Sequence, residues 1–523
     1  MTQIRIALIS LYLFDSIALN IFKEQLKKVN GVEVWIINFK QNLANYCFSP
    51  TEKEYQILLN CLSELKIDLA AITFRSSFFQ IAKIVSRRIK EKLNIPVIVG
   101  GIHSILSPEE CAAIADLACF GEGEDVILDL IEEFTNKKEI NKRVDNFCYY
   151  NGGEFIKNKL RPLIENLDSY PPEVSSDKRI YIDSNKIIRN YENQVTQYPV
   201  ITSRGCPYKC SFCSVKNFRD LYKSKKAVRF RSPENVIDEL IVAKRVFKKT
   251  SLILFYDDNI TINKEWLIQF VELYRKKINL PVEMNTHVLF LDEERIKILS
   301  ALKIKNLNIG VQSGSEWVRK NIYFRQETDM NILNIANLLN RYKITTCYQF
   351  IFDNPFEKTD DYAKSLDFVL KFPKPFNMVS FSLVNYPKMP LTNMLLKEGY
   401  ISEKDIEGAN EKGRHQIQYN PFYKNRTREV TAIITLMQLY QINFISAKMI
   451  RWLSNRRLFI RSSELVALLI GLYNSIKIYA FYAVLSSFKT FMIQEDLRRV
   501  GRAMINKFNL FLENFSLKNK GEK

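Results

Sequence analysis

The chain has 523 residues, of which 47% are hydrophobic, so it is long enough for about two or three domains with substantial cores. Its formal net charge is +19, and Lys and Arg strongly outnumber Asp and Glu after Lys424. It has nine cysteines, an odd number, and most are scattered singly, which argues against a disulfide framework and for a reducing, cytoplasmic setting. The first residues contain a short apolar run broken by Asp15 and no small-residue cleavage site, so we expect no secretory signal.

Residues 1–138 alternate predicted strands and helices. Apolar runs at 4–10, 32–39, 67–74 and 95–101 predict buried parallel strands, and amphipathic stretches at 51–65 and 77–93 predict helices between them. Repeated strand–helix–strand units predict an α/β fold with a doubly wound, Rossmann-like parallel sheet. A ligand crevice is expected at the carboxyl ends of its strands.

Residues 139–194 are predicted to be a linker that contains a β-hairpin. Asn151-Gly152-Gly153 supplies the turn residues of a hairpin, and LDSYPPE (167–173) is stiffened by its prolines.

Residues 195–420 contain a second series of strand–helix repeats. The predicted strands are 199–203, 252–257, 281–287, 306–311, 346–352 and 377–384, and the predicted helices are 233–248, 263–277, 291–302, 328–341 and 357–371. This series predicts a (β/α)6 partial TIM-type barrel, with the chemistry at the carboxyl ends of the strands.

Residues 421–523 predict a basic, mainly α-helical C-terminal domain. Within it, 465–488 is almost entirely apolar with one charge at Lys477. That length suits a membrane span, but a charge at its centre costs about 3 kcal/mol, so a buried helical segment is one interpretation and a peripheral membrane contact the other. We expect the basic tail to cover the barrel mouth or to bind an anionic or lipid-like substrate.

The stretch TSRGCPYKCSFCS (202–214) holds three closely spaced cysteines, Cys206, Cys210 and Cys213. Three interpretations are open: a zinc site, a redox pair with a third thiol, or an iron–sulfur cluster with an incomplete ligand set. A structural zinc ion needs four protein ligands, and the next candidates, His287 and Cys347, are far along the chain. A 4Fe–4S cluster held by three thiolates leaves one iron open, and Arg204 and Lys209 could offset its negative charge.

The spacing C-x-x-x-C-x-x-C, with Arg-Gly before the first cysteine and Phe212 before the last, resembles the signature of radical S-adenosylmethionine (radical SAM) enzymes. The resemblance implies a catalytic 4Fe–4S cluster on Cys206, Cys210 and Cys213, with S-adenosylmethionine chelating the open iron. Reductive cleavage of that ligand would give a 5′-deoxyadenosyl radical. An electron donor such as flavodoxin or ferredoxin is then expected as a partner.

Further segments resemble strand ends of the same family, namely FYDDNI (255–260), MNTH (284–287), IGVQSGSE (309–316) and IFDNPFEKTDDY (351–362). The resemblance implies that S-adenosylmethionine meets Phe212, Asp257, Asp258, Asn285, Gln312 and Ser313. His287 is an alternative to Asn285 as a group that reaches cofactor or substrate. Two departures stand out: Gln312 replaces the usual glutamate, and Asp353-Asn354 stands where a glycine is usual.

The front domain resembles the cobalamin-binding domain often found ahead of radical SAM cores. The resemblance implies cobalamin contacts at Thr73, Gly100, Gly101 and Glu122. The D-x-H-x-x-G element that supplies an axial imidazole is missing, because DSIALN (15–20) has Ile17 and Asn20 at the matching positions. Cobalamin is then bound without that ligand, or the domain no longer binds it. We expect His103 to be a polar group of the domain interface and not a substitute ligand.

Bound cobalamin favours methylation of an unactivated carbon of a small-molecule or lipid-like metabolite. Oxidative cyclisation or rearrangement is the alternative within the same layout, and radical SAM modification of tRNA is a weaker one. A nucleic-acid substrate is not expected, because the front-domain cysteines are scattered and the C-terminal region is predicted to be helical. A non-enzymatic iron–sulfur or zinc-binding interaction protein is the remaining hypothesis.

Overall fold

The computed structural model describes residues 3–12, 16–40, 49–188, 195–223, 228–406 and 426–456, together with Ser463 and Val466. Within these ranges the chain forms a nine-stranded sheet, a six-stranded sheet and a two-stranded ladder.

The nine-stranded sheet has the order β7-β6-β5-β4-β3-β1-β2-β8-β9. Its strands are β1 (Ile4–Leu11), β2 (Val32–Phe39), β3 (Leu69–Thr73), β4 (Val97–Gly100), β5 (Leu117–Cys119), β6 (Phe147–Asn151), β7 (Glu154–Lys157), β8 (Arg179–Asp183) and β9 (Lys186–Ile188). The strands from β5 to β8 in this order are parallel, and the outer pairings are antiparallel.

Helices cover both faces of this sheet. They are α1 (Ile17–Leu26), α2 (Glu52–Glu64), α3 (Phe79–Leu93), α4 (Ile102–Leu106), α5 (Pro108–Ala112) and α6 (Glu124–Lys137), with a 3-10 turn at Ser76–Phe78. Alternate residues of β1 point to opposite cores, Ile9 towards α2 and α3 and Leu8 towards α1 and α6. The predicted doubly wound sheet is therefore confirmed.

The segment predicted as a linker supplies both edges of this sheet. The predicted hairpin forms between β6 and β7, and its turn residues Gly152 and Gly153 have φ of 57° and 92°. A second hairpin, β8 with β9, pairs in parallel with β2. A 3-10 turn at Leu167–Ser169 lies between the two hairpins.

The six-stranded sheet is wholly parallel and has the order β10-β13-β14-β15-β16-β17. The elements of this region are β10 (Gln197–Val200), β11 (Ser203–Arg204), α7 (Ser214–Tyr222), β12 (Arg229–Phe230), α8 (Pro233–Val246), β13 (Leu252–Phe255), α9 (Lys264–Lys277), β14 (Val282–Thr286), α10 (Glu293–Leu299), β15 (Ile304–Gln312), α11 (Asp329–Arg341), β16 (Thr346–Phe352), α12 (Thr359–Val369), β17 (Asn377–Ser382) and α13 (Pro390–Lys397). A 3-10 turn at Val288–Phe290 and a π turn at Val318–Ile322 complete it. The strands follow chain order with β10 and β17 at the edges, as predicted for a partial barrel.

In the part of the C-terminal region that the structure describes, two helices follow the barrel, α14 (Arg428–Tyr440) and α15 (Ala447–Ser454). Val430, Ile434 and Met437 of α14 join the buried core of the barrel. The predicted apolar segment 465–488 lies outside the described residues apart from Val466. Among the helices that the structure describes, none combines the length and the apolar character needed to cross a membrane.

Candidate active site

The predicted cluster ligands lie on the loop between β11 and α7, beyond the carboxyl end of β10. Gly205 has a φ of 101°, which suits a residue without a Cβ atom, and the amide of Cys213 donates to the carbonyl of Cys210 at 3.1 Å. Burial raises the pKa of Cys213 to about 12, and the nearby thiols of Cys210 and Cys206 add to the rise. The structure therefore places the three cysteines on one loop, with the thiols of Cys206 and Cys210 near enough to Cys213 to raise its pKa.

The chemistry of these donors fits a cluster with one open iron. Burial raises the pKa of Cys206 to about 11 and also raises the pKa of Cys210, so iron would replace protons as the thiolates bind. Within the described ranges no group of three or more His, Cys, Asp or Glu side chains, the three cysteines included, is arranged to hold a metal ion. A cluster at this loop is therefore inferred from the chemistry of the thiols. In a 4Fe–4S cubane each thiolate binds a different iron, and three thiolates leave the fourth iron for another ligand.

A buried guanidinium lies beside the thiols. Nη1 of Arg325 is 3.9 Å from Sγ of Cys210, and its Nη2 donates to the carbonyl of Gly310 at 2.7 Å. Its Nε pairs with the buried carboxylate of Glu327. Arg325 therefore joins the cysteine loop to β15 and places a positive charge next to one predicted iron ligand.

The two residues predicted to offset the cluster charge, Arg204 and Lys209, show no contact with the thiols within the described residues. Arg204 pairs with Glu122 at 3.0 Å and with Glu124 at 2.6 Å, and Lys209 is exposed. The cation beside Cys210 is instead Arg325, 115 residues further along the chain, and the local motif gives no signal for it.

His287 supports the cysteine loop. Its ring stacks on Tyr208 with centroids 4.1 Å apart, and its Nδ1 accepts the amide of Leu289 at 3.2 Å. Burial and the Arg325 charge lower the pKa of His287 to about 2, so the imidazole is neutral. The structure places it against Tyr208, between the loop and the barrel.

The neighbouring carboxylates Asp257 and Asp258 have different surroundings. Asp257 is buried, and its Oδ1 accepts the Thr202 hydroxyl at 2.7 Å, the Ser203 hydroxyl at 2.5 Å and the Thr202 amide at 3.1 Å. Asp258 is exposed at the barrel mouth, and desolvation by its surroundings, together with Asp257, raises its pKa to about 6. Asp257 therefore holds the start of the cysteine loop, and Asp258 is better placed to accept an ammonium group.

The amides and hydroxyl predicted to meet S-adenosylmethionine have partners within the barrel. Asn285 donates to the carbonyls of Phe255 at 3.3 Å and Asp257 at 3.1 Å. The Ser313 hydroxyl donates to Glu357 at 2.7 Å. Asn285 and Ser313 thus brace the carboxyl ends of β14 and β15.

Gln312 ends β15 at a bulge, with a φ of 71°. A Cβ atom on Gly310 would come within 2.3 Å of its Nε2, so this glycine leaves the space that the Gln312 side chain fills. Phe212 packs edge to face on Tyr323, with ring centroids 5.2 Å apart. Both predicted cofactor residues are half-buried at the barrel mouth.

The inner face of the barrel sheet is partly polar. Apolar residues of β14 and β15, such as Met284 and Leu307, face the helices and join the core. On the opposite face, Asn308 donates to Asn285 at 3.1 Å and to Glu283 at 3.3 Å, and these three side chains are half-buried. Barrels of this kind are usually filled by branched apolar side chains, so this face offers polar contacts to a ligand.

All four residues predicted to contact cobalamin line one cavity between the nine-stranded sheet and the barrel. Its volume is about 310 Å³, and its walls include Thr73, Gly100, Gly101 and Glu122. Arg204 closes it from the barrel side. This is the crevice expected at the carboxyl ends of the parallel strands.

Gly101 is required by the shape of this crevice. Its φ is 105°, and a Cβ atom there would lie 2.6 Å from the carbonyl oxygen of Phe74 and 3.0 Å from Oγ1 of Thr73. A glycine lets the backbone pass this close to the neighbouring strand and leaves the cavity open. Gly101 therefore keeps the cavity accessible over the ends of β3 and β4, where the cobalamin contacts are predicted.

The position of the missing axial imidazole is apolar. Ile17 lines the cavity, and Asn20 instead accepts a hydrogen bond from Arg179 at 2.6 Å. His103 is fully buried against Phe79, with Nε2 3.3 Å from Glu110. No histidine of the described residues lines the cavity.

Glu122 has a role that the sequence did not predict. Its carboxylate pairs with Arg229 at 2.8 Å as well as with Arg204, and it accepts the amide of Ile164 at 2.9 Å. The arginines hold the pKa of Glu122 below its ordinary value despite the burial that raises it. Glu122 lines the cavity, but its carboxylate forms ion pairs across the boundary between the front domain and the barrel region.

Two family models match the chain. The B12 binding domain matches residues 8–131, and the Radical SAM superfamily matches residues 200–369. These ranges contain the cavity strands and the cysteine loop, respectively.

Curated relatives are similar over more than half of the chain. An uncharacterized methyltransferase of Pyrococcus horikoshii is 26% identical over 58% of this chain and 64% of its own length. The anaerobic magnesium-protoporphyrin IX monomethyl ester cyclase of Cereibacter sphaeroides is 25% identical over 61% and 53%. The bacteriochlorophyllide d C-12(1)-methyltransferase of Chlorobaculum tepidum is 24% identical over 62% and 64%. The chain thus spans about half to two thirds of the length of these relatives.

Solved structures share the fold. The cobalamin-dependent S-adenosylmethionine radical enzyme OxsB with aqua-cobalamin bound has a TM-score of 0.62 at 14% identity, covering 97% of this chain and 81% of that chain. The radical S-adenosylmethionine methyltransferase TsrM from Kitasatospora setae, with cobalamin and a [4Fe-4S] cluster, has a TM-score of 0.60 at 13% identity, covering 89% and 100%. The chain therefore carries a B12-binding domain, matched at residues 8–131, ahead of a radical SAM domain, matched at residues 200–369.

Proposed function

We propose that the chain is a cobalamin-dependent radical SAM methyltransferase that acts on an unactivated carbon of a small molecule. One observation carries the proposal: the wall of the cavity built on Thr73, Gly100 and Gly101 includes Arg204, which precedes Cys206 by two residues. The cobalamin cavity and the cluster loop are therefore direct neighbours. Methyl transfer between two bound cofactors and a substrate needs such proximity.

The residues of the chain bind and orient the reacting groups. When bound, the cluster and S-adenosylmethionine supply a 5′-deoxyadenosyl radical, and cobalamin supplies the methyl group. Cys206, Cys210 and Cys213 hold the cluster. Asp258 accepts the ammonium of S-adenosylmethionine, as a carboxylate readily does, and Gln312 offers an uncharged amide in place of the usual glutamate.

The substrate is proposed to lie against the inner face of the barrel. The same sheet carries the amides of β14 and β15 and, on β17, the half-buried apolar side chains Val379 and Phe381. Such a surface suits a small molecule with one polar and one apolar side, a description that includes porphyrin-type and lipid-like compounds. The functions of the relatives from Cereibacter sphaeroides and Chlorobaculum tepidum favour the porphyrin type.

The organisation of the chain is part of the proposal. We assign residues 1–138 to the cobalamin-binding domain, 139–194 to a linker with hairpins, 195–420 to the radical SAM core and 421–523 to a basic helical domain. A flavodoxin or ferredoxin supplies the electron.

A second candidate is oxidative cyclisation, which the similarity to a magnesium-protoporphyrin IX monomethyl ester cyclase favours. It would use the same cysteine loop and the same cavity. It differs in outcome, because the product of a cyclase gains no methyl group.

Deuterium labelling separates these functions. Anaerobically purified protein is reconstituted with iron, sulfide and hydroxocobalamin and incubated with a reductant and S-adenosylmethionine that carries a trideuterated methyl group. Magnesium-protoporphyrin IX monomethyl ester and bacteriochlorophyllide d serve as probes. A methyltransferase gives 5′-deoxyadenosine and a trideuteromethylated product, whereas a cyclase gives an oxidised product without deuterium.

The control compares two cysteines. Cys213→Ala should abolish formation of 5′-deoxyadenosine, whereas Cys347→Ala, which changes a buried cysteine of β16, should retain it. Equal activity of both variants, or reduced wild-type protein that yields no 5′-deoxyadenosine, would refute the proposed chemistry.

A further inference from the structure

The loop 121–124, Gly-Glu-Gly-Glu, contacts both the cavity and the cysteine loop. All four residues line the cavity of about 310 Å³. The same loop binds two residues that flank the cysteines, Arg204 before them and Tyr222 after them. One short segment is therefore shared between the two predicted cofactor sites.

The contacts on both flanks are close and polar. Arg204 bridges the Glu122 and Glu124 carboxylates, at 3.0 and 2.6 Å. At the far end of α7, the backbone amide of Glu122 donates to the hydroxyl of Tyr222 at 2.6 Å. Because α7 begins directly after Cys213, its two ends connect the cluster loop to the cavity wall.

The shared segment is closely packed at both of its glycines. A Cβ atom on Gly121 would lie 2.7 Å from the Tyr222 hydroxyl, and one on Gly123 would lie 2.8 Å from the ring of Phe22. Arg219 of α7 donates to the carbonyl of Pro207 at 2.6 Å and to that of Cys206 at 3.2 Å. A displacement of the loop 121–124 therefore reaches the backbone of the cysteine loop through packed atoms.

We propose that the loop 121–124 couples cobalamin binding to the geometry of the cluster, with Tyr222 and Arg204 as the positioning residues. The inference rests on the proposed function, because it needs both cofactors. A ligand seated over Gly101 presses the loop 121–124 into the arrangement that the assembled cysteine loop also requires. By thermodynamic linkage, the cluster then tightens cobalamin binding by the same factor as cobalamin stabilises the cluster site.

The test measures that linkage with hydroxocobalamin as the probe. Its Kd is determined by absorbance titration for protein with the reconstituted cluster and for protein without it. Wild-type protein should bind at least about fivefold more tightly with the cluster, the lower range of known couplings, and Tyr222→Phe should reduce this ratio to about twofold or less. Arg204→Lys should act in the same direction, because lysine cannot bridge two carboxylates as a guanidinium does.

Tyr386→Phe is the matched control. The Tyr386 hydroxyl is 3.3 Å from Ser77, so this variant removes a tyrosine hydroxyl from another contact between the same two domains without touching α7. It should keep the wild-type ratio. The EPR spectrum of the reduced cluster should also shift on hydroxocobalamin binding in wild type and in Tyr386→Phe, but not in Tyr222→Phe.

The outcomes are distinct. Equal Kd values with and without cluster in wild-type protein overturn the coupling and leave the proposed function standing. Equal loss of the ratio in Tyr222→Phe and Tyr386→Phe overturns the role of Tyr222. Wild-type protein that binds no hydroxocobalamin overturns both the coupling and the proposed function.

Discussion

The neighbouring aspartates Asp257 and Asp258 belong to one motif but have different roles in the structure. Sequence resemblance gives both the same task, contact with an ammonium group. In the structure Asp257 accepts hydrogen bonds from Thr202 and Ser203 at the start of the cysteine loop, while Asp258 is exposed at the barrel mouth. A buried carboxylate that already accepts several donors is poorly suited to a second ligand.

Replacing each aspartate by asparagine should separate the two roles. Asp257→Asn presents an NH2 group to the donors of Thr202 and Ser203, and an unsatisfied buried donor costs about 1–3 kcal/mol. We expect Asp257→Asn to lower the iron bound per chain, and Asp258→Asn to keep the iron but weaken S-adenosylmethionine binding. Iron analysis and equilibrium dialysis check this, and full iron content in Asp257→Asn would contradict it.

Gly101 gives a second prediction at the residue scale. Gly101→Ala combines a φ of 105° with a Cβ atom 2.6 Å from the Phe74 carbonyl, so we expect a loss of stability of about 1–3 kcal/mol and weaker hydroxocobalamin binding. Gly31→Ala is the control, because Gly31 has a φ of 77° but open space around it. Urea unfolding and absorbance titration compare the two. Similar cobalamin affinities would show that the close approach at Gly101 does not shape the cavity.

The sequence predicts elements well where periodicity decides them. The predicted strand 346–352 matches β16 at both ends, and the hairpin at Gly152 and Gly153 forms because both positions adopt the positive φ that glycine allows. The strand with which a given strand pairs is harder to predict from the sequence. β8 joins the edge of the nine-stranded sheet beside β2, far away in sequence, and no local pattern indicates that contact.

The same limit applies to the candidate site. Short motifs indicate the three thiols and the glycines of the cavity, because close spacing along one loop and a locally required backbone conformation are both visible in the sequence. Arg325 contacts Cys210 from 115 residues away, and Tyr222 and Arg229 contact Glu122 from 100 and 107 residues away. Such tertiary contacts follow from the fold and not from the motif.

The turn that enters α12 carries a pH-sensitive group, Glu357. Burial raises its pKa to about 8 from an ordinary value of 4.5, Ser313 partly opposes the shift, and Asp361 and Asp353 add to it. The folded chain therefore holds this proton more tightly than the unfolded chain does. Stability from this group is complete below about pH 4.5 and is lost as the pH rises to about 8.

Glu357→Gln should remove this dependence, because glutamine mimics the protonated acid and keeps an acceptor for Ser313. We expect the free energy of unfolding of the variant to exceed that of wild type by a margin that grows between about pH 5 and pH 8. Glu265→Gln, at an exposed position of α9, should show a constant difference over that range. Urea unfolding across the pH series measures both, and a constant margin for Glu357→Gln would contradict the assignment.

At the scale of the whole molecule, one departure from the family pattern explains how the C-terminal region is attached. Asp353 has a φ of 66°, a conformation that favours the glycine usual at this place. Its carboxylate forms a buried bidentate pair with Arg426, from Nε to Oδ1 at 2.8 Å and from Nη2 to Oδ2 at 2.6 Å. Asp353 therefore pairs with an arginine that lies two residues before α14 and links the start of that helix to the barrel.

Arg426→Ala should leave Asp353 buried without its partner, which typically costs about 3–5 kcal/mol, whereas Arg451→Ala, at an exposed arginine of α15, should cost little. If pairing with Arg426 is the reason that position 353 is an aspartate and not the usual glycine, Asp353→Gly in the Arg426→Ala background should recover much of the lost stability. The second substitution removes both the unpaired charge and the backbone strain. Urea unfolding of the two single variants and the double variant measures this. A double variant less stable than Arg426→Ala would show that Asp353 has another essential partner and that the arginine does not explain the departure.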